Sequence, residues 1–255
     1  MPASAHRPRL AARHWLYLLA HLVMVLLGLL LVSQAKDDRL WTGIGTSLTA
    51  AGLSGYIIFL YLLHSDRLTT LLSLFDSFGF AGAFAARAER IKSEYDSLLA
   101  TASDRIDILG FGLSALREDY GAEFQTWKTH ASIRILLLDP DFPDPTSSYA
   151  LARDVEEENS PGKIATDAKL FVQQTRSLID DRFQVRLYRC LPSVNIFRVD
   201  DRLFWGPYLM KKQSRNAPTF LVKAPGHLHR VFVNQFETIW KSDDLSRSIP
   251  QSWPA

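Results

Sequence analysis

Two long apolar stretches constrain the fold of this chain of 255 residues more than any other feature. Residues 15–33 are interrupted only by His21, and residues 41–63 contain no charged side chain. As a helix, each stretch is long enough to cross the ~30 Å hydrocarbon core of a bilayer. A cleaved signal peptide is the alternative for the first stretch, but a second stretch follows at once and no small-x-small cleavage site separates them. We therefore expect a tail over residues 1–14 and a two-helix transmembrane anchor over residues 15–64.

Charges beside the two stretches predict their orientation. Basic residues precede the first stretch and follow the second, whereas the short loop between them balances two basic and two acidic residues. Because an excess of Lys and Arg stays on the cytoplasmic side, both termini are expected to be cytoplasmic. The single cysteine, Cys190, cannot form an internal disulfide, which agrees with a reducing compartment.

Small residues recur every four positions in the second stretch, at Gly43, Ser47, Ala51 and Gly55. On a helix they share one face, where the lack of bulky side chains lets another backbone approach closely. The first span, which offers Ala20 and Gly28, is the favoured partner, since a short loop joins neighbouring helices. The same helix of a second subunit is the alternative.

The segment after the second stretch is apolar but broken by Asp76, Gly79 and Gly82. A third span is disfavoured because Asp76 near its centre would cost ~3 kcal/mol on insertion. We expect residues 65–89 to form a juxtamembrane or interfacial helix.

From residue 87 onward, the periodicity becomes that of an α/β protein. Apolar strands over residues 105–109, 132–138 and 183–187 alternate with amphipathic helices, one of them with Ser114 as its N-cap and running to about Lys128. A hairpin that turns at Asp200 and Asp201 follows, then a strand over residues 218–223 and a closing helix. This order predicts a mixed, mostly parallel sheet with helices on both faces over residues 90–243 and a C-terminal tail over residues 244–255.

Charge excludes one broad class of function. Residues 87–255 hold 23 basic and 23 acidic residues, so this part is neutral, and general nucleic-acid binding through phosphate neutralisation is not expected. Within it, residues 182–215 hold eight basic and two acidic residues. This local basic strip is compatible with one small anionic ligand, although a solvated surface of mixed charge is an equal alternative.

The hairpin sequence carries a motif in altered form. The phospholipase D-like superfamily has His-x-Lys-x4-Asp, followed on the next strand by Gly-Ser-x-Asn. Here Asp200 and Gly206 match, whereas Ser193 and Asn195 occupy the histidine and lysine positions, and Pro207 and Leu209 replace the later Ser and Asn. Residues 90–243 thus resemble one lobe of a phospholipase D-like fold joined to two transmembrane helices.

The resemblance implies an inactive site. The family needs a histidine nucleophile to form a phospho-histidine, a second histidine as acid, and Lys and Asn to stabilise the phosphoryl oxygens. Ser193 and Asn195 supply neither an imidazole nor a positive charge, so no catalytic residue is assigned. The chain is also similar to bacterial proteins in which such a lobe follows membrane helices or a DNA-binding domain. This implies the inner membrane of a bacterium, a homodimer or higher oligomer, and a signalling or phage-defence role.

Candidate ligand contacts are the side chains near the place where the family binds phosphate. They are Ser193, Asn195, Arg198, Arg186, Tyr188, Tyr208, Lys211 and Lys212. His227 and His229, two residues apart, and the acidic run Glu156, Glu157 and Glu158 resemble metal ligands, but a surface turn and a solvated helix face are the better interpretations. We predict no metal and no cofactor. The turn Gly110-Phe111-Gly112 is interpreted as a strand-to-helix connection, although such turns can hold an anion.

Three functions fit the sequence. The preferred one is a lobe that binds a phosphorylated ligand, a nucleotide or a partner protein and signals to the membrane helices. The second is a membrane-tethered phosphodiesterase or nuclease with a non-standard site. The third is a structural scaffold without a small-molecule ligand.

Overall fold

The computed structural model describes residues 7–35, 38–191 and 193–253, with side chains from Trp15 onward except at residues 66–67 and 87–90. The chain divides into two compact units, Met1–Ser73 and Leu74–Ala255. The first is helical, and the second contains a mixed α/β sheet.

The first unit consists of α1 (Arg7–Gln34) and the larger part of α2 (Arg39–Phe78). Both helices are apolar and long enough to cross a membrane. They pack closely through glycine, because a Cβ on Gly45 would lie 2.7 Å from the carbonyl oxygen of Gly28. Further along, the ring of Tyr17 stacks on that of Phe59, with 5.0 Å between centroids.

The predicted small-residue face is only partly the face that contacts α1. Gly55 abuts the ring of His21, as expected for a helix-packing position. Gly43, however, has nothing within 4 Å of a Cβ placed on it, and Ser47 and Ala51 are exposed. Gly45 and Gly52 are the buried glycines, because their spacing of seven residues keeps them on the side of α2 that faces α1. Steps of four residues move away from that side.

The expected juxtamembrane helix over residues 65–89 is wrong in its second half. α2 continues to Phe78, and Gly79 then adopts a φ of 73°, a conformation that ends the helix. Residues Phe80–Phe84 form strand β1, which pairs antiparallel with a later strand. This segment therefore belongs to the sheet of the second unit.

The sheet unit continues with elements whose bounds, in chain order, are α3 (Arg87–Leu99), β2 (Arg105–Gly110), α4 (Ser114–Tyr120), α5 (Phe124–His130), β3 (Ser132–Leu138), α6 (Tyr149–Glu156), α7 (Lys163–Thr175), β4 (Phe183–Tyr188), β5 (Val194–Val199), β6 (Arg202–Pro207), β7 (Thr219–Lys223), α8 (His227–Lys241) and β8 (Ser246–Ser248). The strand order across the described chain is β1-β7-β6-β5-β2-β3-β4-β8.

The sheet is mixed, but the prediction that it is mostly parallel is wrong. Only β2–β3 and β3–β4 pair in parallel among its described strands, and the other five pairings are antiparallel. Two helical crossovers produce the parallel pairs. The β5–β6 hairpin and the direct connection from β6 to β7 produce antiparallel ones.

Helices cover both faces of the sheet, as predicted. Ile106, Ile133 and Phe183 pack against α5 and α7 on one face, through residues such as Phe124 and Phe171. On the other face, Leu136 and Leu203 are among the strand residues that pack against α8 through Phe236 and Ile239.

Two local predictions need correction. The helix expected from Ser114 to Lys128 is broken into α4 and α5 near Gly121, and its N-cap is Leu113, with a φ of 53°, rather than Ser114. The C-terminal segment after residue 244 is not a tail. It forms edge strand β8 and buries Trp253 in the core.

A pair of alanine substitutions tests the helix contact. We expect Gly45→Ala to lower the melting temperature of the helical unit in detergent, because the new methyl would collide with the backbone of Gly28. Gly43→Ala should leave it unchanged or raise it slightly, since Ala is favoured over Gly inside a helix by about 1 kcal/mol. Equal losses in both variants, measured by circular dichroism, would contradict this packing.

Candidate ligand-binding cleft

A cleft of about 480 Å³ lies at the carboxyl end of β2, in the sheet unit. β2 has a parallel neighbour, β3, on one side and an antiparallel neighbour, β5, on the other. Crevices beyond the carboxyl ends of strands, where connections diverge, are the usual ligand sites of open α/β sheets. The predicted motif lies on β5 and β6, and β5 borders this cleft through Asn195.

Asp200 holds the motif hairpin beside β2. Its carboxylate accepts hydrogen bonds from the backbone N–H groups of Ser103, Asp104 and Arg105, at 2.8 to 3.0 Å. Although desolvation opposes the charge, these backbone N–H groups lower the pKa of Asp200 below its usual range. Asp200 also adopts a φ of 50°, which completes the tight turn between β5 and β6. The aspartate that matches the family motif is therefore a structural clamp.

Asn195 lines the cleft and is almost fully buried. Its Nδ2 donates to the carbonyl oxygen of Gly206 at 2.9 Å across the hairpin. That bond fixes the orientation of the amide, so Oδ1 is the atom left to accept a hydrogen bond. Asn195 can thus position a ligand that carries an N–H or O–H group.

An aromatic pair forms one wall of the cleft. The rings of Phe111 and Tyr208 stack with centroids 3.9 Å apart, and the guanidinium of Arg153 lies 5.3 Å from each. Arg153 is nearly buried, and it bonds to Glu157 at 2.9 Å and to the carbonyl oxygen of Leu209. These contacts hold α6 against the segment that follows β6, which gives the wall a fixed position.

Acidic side chains around the cleft outnumber basic ones by one. Three basic and four acidic side chains line it: Lys92, Lys163, Arg215, Glu118, Asp119, Glu157 and Asp167. Lys92 pairs with Asp119 at 3.6 Å, and Lys163 pairs with Asp167 at 2.6 Å. Because both lysines are about half exposed, these pairs are worth ~0–1 kcal/mol each and can rearrange.

Arg215 differs from the two lysines. It is exposed, its Nε donates to the side chain of Gln213, and it forms no ion pair with any described residue. The lining therefore presents one unneutralised guanidinium and two ammonium groups in weak pairs.

The structure brings together only two of the predicted contact residues, Asn195 and Tyr208. Ser193 lies just before β5, where its carbonyl accepts from the N–H of Tyr208, and its side chain is exposed outside the cleft lining. Lys211 and Lys212 are exposed in the segment after β6 and also lie outside the lining.

The remaining predicted residues, Arg198, Arg186 and Tyr188, lie apart from the cleft. Arg198 is three positions after Asn195 on β5, so its side chain points to the opposite face, where it bonds Asp107 at 3.1 Å. Arg186 bonds Asp243 beside α8. Tyr188 is completely buried, and this burial raises the pKa of its hydroxyl well above its usual value.

No group of three His, Cys, Asp or Glu side chains among the described residues could hold a metal ion. His227 and His229 lie on α8, not on a strand, and two positions on a helix point in nearly opposite directions. Glu156 and Glu157 both pair with Arg153. The acidic run is thus a partly buried ion-pair site.

Several lining residues carried no sequence signal. Lys92 and Tyr95 come from α3, Lys163 from the start of α7, and Arg215 from a short turn before β7. They are far apart in sequence and match no motif. The Gly110-Phe111-Gly112 turn was interpreted as a connection, and a Cβ on Gly112 would indeed lie 3.1 Å from the carbonyl of Ile164 on α7.

Alanine substitutions of the two turn aspartates test the clamp. We expect Asp200→Ala to cost about 2–3 kcal/mol of folding free energy, because three backbone N–H groups lose a charged acceptor. Asp201→Ala, which removes an exposed side chain 3.6 Å from Arg202, should change it by less than about 0.5 kcal/mol. Denaturant unfolding of the sheet unit, followed by circular dichroism, measures both, and equal effects would refute the clamp.

His229 predicts a pH dependence of stability. It is buried on α8, its Nε2 has no partner among the described residues, and burial together with the nearby charge of Arg198 lowers its pKa below 6.5. The unfolded chain then takes up a proton at a higher pH than the folded chain does. Stability is complete above about pH 6.5 and falls as the pH drops below that value. His229→Leu should reduce this fall between pH 7.5 and 5.5, and His130→Leu, at an exposed site, should not.

No family model and no curated protein matches the sequence. Several solved structures are similar at low identity, three of which follow. TrmBL2, an archaeal chromatin protein whose structure shows a novel mode of DNA binding, has 11% identity and a TM-score of 0.42, over 80% of this chain and 70% of that chain. Phosphatidylserine synthase from Haemophilus influenzae Rd KW20 has 11% identity and a TM-score of 0.46, over 66% of this chain and 38% of that one.

The third, NucT from Helicobacter pylori, has 9% identity and a TM-score of 0.38, over 66% of this chain and 98% of that one. The phosphatidylserine synthase and NucT are members of the phospholipase D-like superfamily. At these TM-scores and identities, the likenesses assign neither a family nor an activity to this chain.

Proposed function

We propose that this is a bacterial inner-membrane protein whose sheet unit is a phospholipase D-like lobe that binds a small phosphorylated ligand without hydrolysing it. The observation that carries the proposal is the cleft beside Asn195. It lies where the motif hairpin meets β2, and no histidine is among its described lining residues. The anchor helices would place the lobe on the cytoplasmic side.

The cleft has the parts that such a ligand needs. Its volume of about 480 Å³ suits a molecule the size of a nucleotide, since small-molecule pockets span roughly 300–1,000 Å³. Arg215 offers an unpaired guanidinium, and Lys92 and Lys163 can leave weak ion pairs to contact a phosphate. Aromatic surface from Tyr95 and Phe111 offers a planar group a wall to pack on.

The same geometry supports the absence of phosphodiester hydrolysis. An imidazole nucleophile would have to stand at position 193, where an exposed serine lies outside the cleft lining. The amide of Asn195 replaces a lysine, so it orients a ligand but does not neutralise charge developing on phosphorus. Within the described lining, neither histidine nor cysteine is available to attack.

The join between α2 and the sheet supports a signalling role. Gly79 alone separates α2 from β1, and its carbonyl accepts from the N–H of Lys223 on β7 at 2.8 Å. The side chain of Lys223 pairs with Asp76 at 3.2 Å. Because β7 pairs with both β1 and β6, a shift of the motif hairpin would reach the end of α2 through two strand pairings.

Titration with adenosine monophosphate tests the proposal. We expect Arg215→Ala to weaken binding about ten-fold, the effect of losing one charge-assisted hydrogen bond worth roughly 1.5 kcal/mol. Arg202→Ala, an arginine on β6 outside the cleft lining, should leave binding unchanged. Calorimetry with the full chain in detergent measures both variants.

Two results would replace this function with another. Hydrolysis of a generic phosphodiester that disappears in both Ser193→Ala and Asn195→Ala would establish a phosphodiesterase. Failure of inorganic phosphate, adenosine monophosphate and glycerol phosphate to bind, together with stoichiometric co-purification of one partner protein, would favour a scaffold.

A further inference from the structure

The end of α2 exposes an unusual amount of apolar surface. Six large hydrophobic side chains within eleven residues are each 45–67% exposed: Leu68, Leu71, Leu72, Leu74, Phe75 and Phe78. Phe75 and Phe78 touch the rings of Phe80 and His227, yet both remain about half exposed. An exposed apolar patch of this kind is typical of a surface that binds another apolar surface.

Four of these six residues continue a regular row along the helix, and Leu72 and Leu74 lie beside it. The row, which we call the α2 seam, advances by alternating steps of four and three residues, and every member is exposed: Gly43, Ser47, Ala50, Ser54, Ile57, Tyr61, His64, Leu68, Leu71, Phe75 and Phe78. A repeat of 3.5 residues along one helix is the pattern of a coiled coil. The three residues most buried against α1, namely Gly45, Gly52 and Phe59, are not members of the seam.

The composition of the α2 seam changes where the helix is expected to pass from the bilayer into water. Its first four members are small, and its last four are Leu or Phe, with Asp66 and Arg67 marking the end of the uncharged stretch between them. In a bilayer, lipid solvates apolar side chains, so helices associate through small residues that allow close approach. In water, burial of large apolar side chains drives association. Each half of the seam therefore has the side chains that favour association in its own surroundings.

A bilayer surface is a poorer occupant for residues 68–78. They belong to α2, the same helix as the spanning stretch. Helices that lie at membrane surfaces carry Lys and Arg on their polar face. The polar face here carries Ser, Thr and one acid, Asp76, and no basic residue.

We propose that the α2 seam pairs with the same seam of a second copy in a parallel, two-stranded coiled coil. The parallel direction rests on the proposed membrane placement, since two copies inserted with one topology present α2 in the same direction. In a dimer with a two-fold axis, both copies contribute the same surface, so the α2 seam needs no second kind of surface as its partner.

A matched pair of charge substitutions tests this pairing. Leu71 is in the seam, and Ser73 lies on the opposite side of the same helical turns. We expect Leu71→Glu to weaken dimerisation about 100-fold or more, because two buried leucines are lost per dimer. Ser73→Glu should have no effect. Native mass spectrometry of the full chain in detergent should give twice the 28.9 kDa chain mass for Ser73→Glu and the single mass for Leu71→Glu.

Cysteine cross-linking gives a second measurement that does not depend on loss of stability. With Cys190 replaced by serine, Leu71→Cys should form a disulfide between copies, and Ser73→Cys should not. A monomeric parent chain, or equal cross-linking at both positions, would overturn the proposal. Quenching of a label at position 71 by brominated lipid, without cross-linking, would assign the seam to the bilayer instead. Binding of adenosine monophosphate to the cleft is measured separately, so the two proposals can fail independently.

Discussion

The carboxylate of Asp200 joins the two parts of the sheet on which the cleft depends. By accepting from three consecutive backbone N–H groups at the start of β2, it fixes the β5–β6 hairpin in register with that strand. Asn195 consequently lies beside the carboxyl end of β2, where the cleft opens.

A second set of charges stabilises the opposite face. Asp107 on β2 bonds Arg134 at 2.7 Å and Arg198 at 3.1 Å, and Arg134 also bonds Glu237 of α8. The hydrogen bond from Arg134, with a second from Lys241, lowers the pKa of Glu237 to about 2 although burial opposes the charge, so the ion pair persists at all but strongly acidic pH. The face that α8 covers thus carries a largely buried ionic network that holds α8 in place. The basic side chains of the cleft come from α3, α7 and the turn before β7, and they are exposed and at most weakly paired, so they remain available to a ligand.

Sequence patterns predicted the features that depend on local chemistry. The hairpin turn at Asp200 was predictable because aspartate tolerates left-handed backbone, and the layered core was predictable from alternating strands and helices. Strand β1 was missed, since an apolar run without charge that follows a helix looks like more helix. The strand order of the sheet depends on pairing between residues that are far apart in sequence, and no local sequence pattern predicts it. Arg198 and Asn195 were predicted to contact the same ligand, although strand alternation places them on opposite faces of the sheet. The contributions of Lys92, Lys163 and Arg215 to one cleft could not be predicted, because those residues are far apart in sequence and only the fold brings them together.

The cleft is proposed to bind phosphate and to lack a group that attacks it. Phosphorus NMR of the full chain mixed with p-nitrophenyl thymidine phosphate tests both properties in one sample. We expect the phosphodiester resonance to broaden or shift as protein is added, with no product resonance after prolonged incubation. A product resonance that grows with protein concentration would contradict the absence of hydrolysis. An unchanged spectrum would contradict phosphate binding in the cleft.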